Sequence, residues 1–83
     1  MSTQNQIQTR IINQKLSRMF TYIEKTVKEL REFGVEIKLG IEVIIKSSDS
    51  ELSTKICKLL ERKELGRVDL YDEYTVIGEF YFF

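Results

Sequence analysis

Apolar residues in the first third of the chain recur at intervals of three and four. They are Ile12, Leu16, Met19, Phe20, Ile23, Val27 and Leu30. This spacing is typical of a helix with one apolar face, and it predicts helix α1 from Ile7 to about Phe33. Gly34 suits the position that follows a helix, where the backbone turns left-handed. The polar residues 1–6 are expected to form a flexible N-terminal arm, followed by a single domain over residues 7–83.

From Val35 to Lys46 the apolar spacing changes to every second residue. Such alternation is typical of a strand that is buried on one face and wet on the other, so this segment is predicted to be strand β1. After it, Ser48 and Glu51 match the S-x-x-E capping box at the start of a helix. A second apolar stripe then predicts helix α2 over residues 50–64.

The chain ends in two short segments that predict a hairpin. Strand β2 is expected over Arg67–Tyr71 and strand β3 over Tyr74–Phe83, with Asp72 and Glu73 in the turn between them. β3 has apolar residues at both odd and even positions, whereas a strand with one solvent-exposed face alternates apolar and polar residues. We therefore expect β3 to be buried on both sides, by a central place in the sheet and by a second subunit.

These elements predict a small α/β (α+β) domain with the order α1-β1-α2-β2-β3. A crossover through α2 makes β1 and β2 parallel, and the hairpin makes β3 antiparallel to β2. With apolar β3 in the middle, the result is a two-layer sandwich: a three-stranded mixed sheet of order 2-3-1 with both helices on one face. A weak heptad repeat in α1 gives a coiled coil as the alternative use of its apolar stripe.

The composition is that of a folded domain, because 42% of the 83 residues are hydrophobic and 31% are charged. A chain this short buries only about 60–65% of the surface that its unfolded form exposes. Association of subunits is a common way to bury more. We therefore expect a homodimer.

Charge is balanced overall, with 13 basic and 13 acidic residues, which argues against a general polyanion binder. Locally it is uneven, with a net charge of +3 over residues 1–34 and −3 over residues 67–83. The polar start differs from a signal peptide, and no apolar run reaches the roughly 18 residues of a membrane span. We expect a cytoplasmic protein with no membrane partner; its small size also fits an accessory protein of a mobile element.

The residues that most enzymes use are scarce. With no His and one Cys, the chain lacks Ser-His and Cys-His pairs, internal disulfides and cysteine metal clusters. Cys57 borders the apolar stripe of α2, so we expect a buried thiol, with a reactive thiol as the alternative. Asp69, Asp72 and Glu73 are expected to form a solvated turn, with a magnesium-dependent site as the alternative. No enzyme activity, cofactor, metal site or small-molecule substrate is predicted.

The leading hypothesis is a noncatalytic interaction or regulatory protein that self-associates and binds another protein. Tyr and Phe are favoured anchors of protein interfaces, and four aromatic residues follow one another at the end of the chain. The predicted interface consists of Phe80, Tyr81, Phe82, Phe83, Phe20 and Ile23. The alternative for these aromatic side chains is the core of the monomer.

The competing hypothesis is a nucleic-acid-binding protein. Leu59–Phe83 reads helix, strand, turn, strand, and so resembles the last helix and wing of winged-helix DNA-binding proteins, with residues 67–83 as the wing-like hairpin. It departs from that family where strand β1 replaces the helix before the recognition helix. The predicted nucleic-acid-binding residues lie on the basic N-terminal helix and the basic face of α2: Arg10, Lys15, Arg18, Lys55, Lys58 and Arg62.

Overall fold

A computed structural model describes the backbone of residues 2–83 and the side chains of residues 7–83. The elements are helix α1 (Ser2–Glu32), strand β1 (Leu39–Lys46), helix α2 (Ser50–Glu61), strand β2 (Gly66–Leu70) and strand β3 (Thr75–Phe82). This is the predicted order. α1 begins earlier than its predicted start at Ile7. The predicted arm covers residues 1–6. Within it, Met1 and the side chains of residues 2–6 lie outside the described part of the chain.

The strands form a sheet of order β1-β3-β2, which confirms the central position predicted for β3. β3 is antiparallel to both neighbours, so β1 and β2 run in the same direction on either side of it. β1 pairs along its full length with Thr75–Phe82, whereas Gly66–Leu70 pairs only with Val76–Phe80. Because both hydrogen-bonded pairs are antiparallel, the sheet is antiparallel rather than mixed as predicted; the parallel outer strands β1 and β2 are not hydrogen-bonded to each other.

One face of the sheet, here called the inner face, packs against the two helices. On β3 it carries Val76, Gly78, Phe80 and Phe82, all of which are buried. The ring of Phe20 from α1 lies 4.8 Å from the ring of Phe80 and 6.1 Å from that of Phe82. Aromatic pairs at such distances add about 0.5–1.5 kcal/mol beyond their buried area. The apolar stripe of α1 therefore packs on the sheet of its own chain.

α1 is longer than the sheet that it covers. Its 31 residues span roughly 46 Å at about 1.5 Å per residue, and the longest dimension of the molecule is 50 Å. The radius of gyration is 14.5 Å, whereas a compact chain of this length has about 12 Å. The first turns of α1 therefore project beyond the rest of the domain, with Ile7 and Ile11 exposed.

Helix α2 begins at Ser50, as predicted, but its predicted cap and its predicted end need correction. Asp49 rather than Ser48 caps the helix, because its Oδ1 accepts a hydrogen bond from the backbone N of Glu51 at 2.9 Å. The helix ends at Glu61 instead of residue 64. The chain then reverses through Glu64, which has a φ of 54°. This left-handed conformation is unfavourable for a residue with a Cβ atom.

A hydrogen-bond cluster ties the end of β1 to the loop between β2 and β3. The carbonyl of Tyr74 accepts from the backbone N of Ser47 at 2.9 Å and from Oγ of the buried Ser53 at 3.0 Å. In the loop itself, Oδ1 of Asp72 accepts from the backbone N of Tyr74 at 2.8 Å. This bond lowers the pKa of Asp72, and it forms an Asx turn, which closes the hairpin without a glycine.

Candidate interaction surfaces

The aromatic residues at the end of the chain divide between the two faces of the sheet. Phe80 and Phe82 belong to the core of the monomer, as does Phe20, and none of the three is more than 4% exposed. Tyr81 and Phe83 lie on the opposite face, where they are 48% and 69% exposed. Their rings stack with centroids 6.3 Å apart. Of these five predicted interface residues, the fold therefore leaves only Tyr81 and Phe83 accessible to a partner.

No helix within residues 2–83 packs on the opposite face of the sheet, here called the open face. Ile44 and Ile77 are paired across β1 and β3 near its centre, and Ile44 is 56% exposed. The next pair is Glu42 opposite Glu79, flanked by Arg67 on β2. Like charges placed directly opposite each other destabilise a strand pair. The open face thus combines exposed apolar side chains with a central pair of carboxylates.

The outer side of β1, here called the β1 edge, has no strand neighbour among residues 2–83. Strand β1 is eight residues long, and its sequence LGIEVIIK is mostly apolar. Its four inner-face residues are only half-buried, because α1 packs over β3, and α2 over β2 and β3. The four half-buried residues of β1 are Leu39, Ile41, Val43 and Ile45. A long apolar edge of this kind is a template for a further strand.

An apolar groove of about 110 Å³ separates α1 from β1. It is lined by Tyr22, Ile23, Thr26, Val27, Ile37 and Leu39. Ile23, one of the predicted interface residues, is half-buried there, and Tyr22 beside it is 73% exposed. The apolar surface of the β1 edge therefore continues onto the flank of α1.

The structure brings four of the predicted nucleic-acid-binding residues together between α1 and α2. They surround a groove with two adjoining parts, of about 390 and 130 Å³, here called the basic groove. Its lining consists of Thr9, Arg10, Asn13, Lys55, Lys58, Leu59 and Arg62. None of these lining residues is acidic, although Lys55 forms an ion pair with the nearby Glu51 at 3.4 Å. Lys15 and Arg18 are exposed on α1 and do not line the groove.

The gathering of these cations could not be predicted from either helix alone. On α2, Lys55, Lys58 and Arg62 are spaced by three and four residues and therefore share one face. Arg10 joins them only because α1 packs alongside α2.

A further depression, of about 460 Å³, lies where the C-terminal half of α1 meets the end of β3. Val27, Leu65 and Phe82 supply apolar side chains, and the charged lining consists of Glu24, Lys28 and Arg31. It adjoins Tyr81 and Phe83, so it extends the accessible aromatic surface around the end of β3.

Cys57 is buried in the helix–sheet interface, which confirms the predicted buried thiol. Its Sγ donates a hydrogen bond to Oε1 of Glu61 at 3.4 Å. Burial, together with the bond to Glu61 and the charges of Glu61 and Asp69, raises the pKa of the thiol to about 11. The thiol is therefore protonated at neutral pH, and a thiol in that form is a poor nucleophile.

The acidic residues of the hairpin have local partners. Asp69 accepts a hydrogen bond from Nε of Arg67 at 3.0 Å, and Asp72 holds its own loop. Within the described part of the chain, no three His, Cys, Asp or Glu side chains are grouped so that they could hold a metal ion. None of the described helices has the length and apolar character to cross a membrane.

No protein-family model matches this chain, and no curated protein or solved structure matches it either.

Proposed function

We propose that this is a noncatalytic interaction protein of the cytoplasm that self-associates and binds a second protein. The observation that supports the proposal is the large share of aromatic side chains in contact with solvent. Six of the nine aromatic residues are exposed. They are Tyr22, Phe33, Tyr71, Tyr74, Tyr81 and Phe83. Contiguous exposed apolar surface marks contact sites; Tyr81 and Phe83 form such a surface, because their rings stack on the open face, and aromatic residues are the favoured anchors of such contacts.

The two uncovered surfaces suit different partners. If the open faces of two copies met, the paired carboxylates of Glu42 and Glu79 would approach those of the second copy, and such like-charge contacts are costly. The open face therefore suits a different protein, one that presents basic and apolar groups to the carboxylates and to Tyr81 and Phe83. Self-association is assigned to the β1 edge, where no such repulsion arises.

Sedimentation velocity over a wide range of protein concentration tests self-association. The proposal predicts a dimer that dissociates on dilution. A monomer at every concentration would contradict it.

Cross-linking in a lysate of the source organism tests the second partner. Replacing Tyr81 and Phe83 by Ser is expected to preserve the fold, because both side chains are exposed, and to remove a cross-linked protein that the wild type captures. Phe33→Ser is the matched control, because Phe33 is 84% exposed but lies away from the sheet, just after α1. Capture of the same proteins by all three forms would argue against a role for the open face.

A second candidate function, nucleic-acid binding, is supported by the basic groove. Four cations that each neutralise one phosphate give a slope of about −2.8 in a plot of log K against log salt for single-stranded DNA, and about −3.6 for duplex DNA. Removing Lys55, Lys58 and Arg62 by substitution with Ala is expected to reduce the slope by roughly 2 to 3.

Fluorescence anisotropy with labelled single-stranded and duplex DNA measures this slope. Replacing Lys15 and Arg18 by Ala is the control, because these residues are also positively charged but lie outside the groove. No binding of either DNA at low salt would exclude this second function.

A further inference from the structure

We infer that the β1 edge pairs with the β1 edge of a second copy, antiparallel and centred on Ile44, so that two three-stranded sheets join into one of six strands. This inference rests on the proposed self-association and specifies its surface and register. The strand order across the dimer is then β2-β3-β1-β1-β3-β2.

The charges along β1 select this register. In an antiparallel pair about a twofold axis, the residues two positions before and after the centre lie opposite each other. With Ile44 at the centre, Glu42 faces Lys46 of the second copy and Lys46 faces its Glu42. All four side chains lie on the open face, since Glu42 and Lys46 are two of its residues. Opposite charges in directly opposed positions stabilise a strand pair.

The register centred on Gly40 also sets Glu42 against a lysine, but that residue, Lys38, precedes the strand, and Val43–Lys46 would then face residues outside β1. Two other registers centred within β1 lack any such match. Centring on Glu42 places two carboxylates against each other, which is destabilising. Centring on Val43 sets Glu42 against Ile44 and Lys46 against Gly40, so neither charge has a partner. The register centred on Ile44 also brings together the most exposed apolar side chain of the strand, which is 56% exposed in the monomer.

The inner face supports the same arrangement. In this register Val43 faces Ile45 of the second copy, twice, and both side chains are only half-buried in the monomer. A twofold axis perpendicular to the sheet keeps both inner faces, and hence all four helices, on one side. The joint therefore buries the side chains of Val43, Ile44 and Ile45 from both copies, in addition to forming backbone hydrogen bonds.

A charge exchange tests the register. Sedimentation velocity is measured for the wild type, for Glu42→Lys, for Lys46→Glu, for the two single variants mixed in equal amounts, and for the double variant. Each single variant alone places two like-charged pairs at the joint, so its dimer is expected to be on the order of 10- to 100-fold weaker. In the mixture, the two lysines of one variant face the two glutamates of the other, and the double variant restores both pairs; each is expected to dimerise like the wild type.

Asp69→Lys is the matched control, because it changes the net charge as Glu42→Lys does but lies on β2. It is expected to leave the dimer intact. A dimer that persists unchanged in both single variants, or that fails to return in the mixture, would overturn the pairing while leaving self-association standing. A wild type that is monomeric throughout would overturn the proposed self-association and the pairing with it. Loss of the dimer in Asp69→Lys as well would assign the effect to net charge and contradict the register.

Discussion

The two edges of the sheet flank the same central strand but are built in opposite ways. The β2 edge is five residues long, and its two open-face side chains, Arg67 and Asp69, bond to each other at 3.0 Å. The β1 edge is eight residues long, mostly apolar, and half-buried on its inner face. Short and charged edges discourage further strands, whereas long apolar edges invite them. A small domain can thus close one edge with its own residues and keep the other for a partner.

Substituting a glycine on each edge by alanine is expected to show the largest difference in stability between the two edges. In Gly66→Ala the new Cβ would overlap the backbone carbonyl of Glu79, so we expect a loss of about 3 kcal/mol or more of unfolding free energy. In Gly40→Ala the Cβ would lie 3.6 Å from the ring of Tyr81, an ordinary contact, and the change should be below about 1 kcal/mol. Urea unfolding of the two variants measures the difference. Equal losses would show that the β2 edge is no more tightly packed than the β1 edge.

Ser53→Ala tests the cluster that joins the ends of both edges. The substitution removes the hydrogen bond from Oγ to the carbonyl of Tyr74, and because the site is buried we expect a loss of about 1–2 kcal/mol. Thr54→Ala is the control, since its Oγ1 bonds the Ser50 carbonyl on the exposed side of α2; its effect should be below about 0.5 kcal/mol. Thermal unfolding compares the pair, and similar melting temperatures would contradict the role of Ser53.

The pH dependence of stability reports how well α2 covers the β2 side, because Cys57 lies in that contact. Its pKa is about 11 in the folded protein against the ordinary value of 9.0. The raised pKa contributes stability that is complete below pH 9 and is lost as the pH rises toward 11. At pH 10 the loss should be about 1 kcal/mol.

The control for this pH effect is Cys57→Ala, in which the loss specific to the thiol should be absent. The difference between wild type and variant, measured by urea unfolding at pH 8 and pH 10, isolates it from other titrating groups. A constant difference would show that the thiol is not buried as described. Slow reaction of the native thiol with Ellman's reagent at neutral pH is expected for the same reason.

The smallest effect is expected where α2 leads into β2. Glu64→Gly relieves the left-handed conformation at this position and should stabilise the protein by about 0.5–1 kcal/mol. The same change at Arg62, where φ is −65°, should destabilise it by a similar amount. Thermal unfolding of the two variants checks the opposite signs; a shift in the same direction in both would refute the assigned strain.

The order of elements could be predicted because the spacing of apolar residues is a local signal. The central place of β3 could be predicted because this strand is apolar on both faces, which is also visible locally. Strict alternation along β3 also separates Phe80 and Phe82 from Tyr81 and Phe83, so this division was visible in the sequence. The cap of α2 was misassigned because Ser48 completes an S-x-x-E pattern while the carboxylate of Asp49, one residue later, is the better placed acceptor.

Other features depend on tertiary packing and have no local signal. The basic groove exists because α1 and α2 lie side by side, and the exposure of β1 depends on where each helix rests on the sheet. The tight fit at Gly66 depends on its approach to Glu79, which is distant in sequence. The register proposed for the dimer needs both kinds of information, since the charges of β1 are visible in the sequence but its free edge is not.

Hydrogen exchange measured at low and at high protein concentration tests the central claim most directly, because it compares the two edges in one sample. We predict that the amides of Glu42, Ile44 and Lys46, which point to the free edge of β1, gain protection as the concentration rises, while those of Gly66–Leu70 exchange at unchanged rates. Exchange of both edges at rates independent of concentration, or protection gained on the β2 edge instead, would contradict the account.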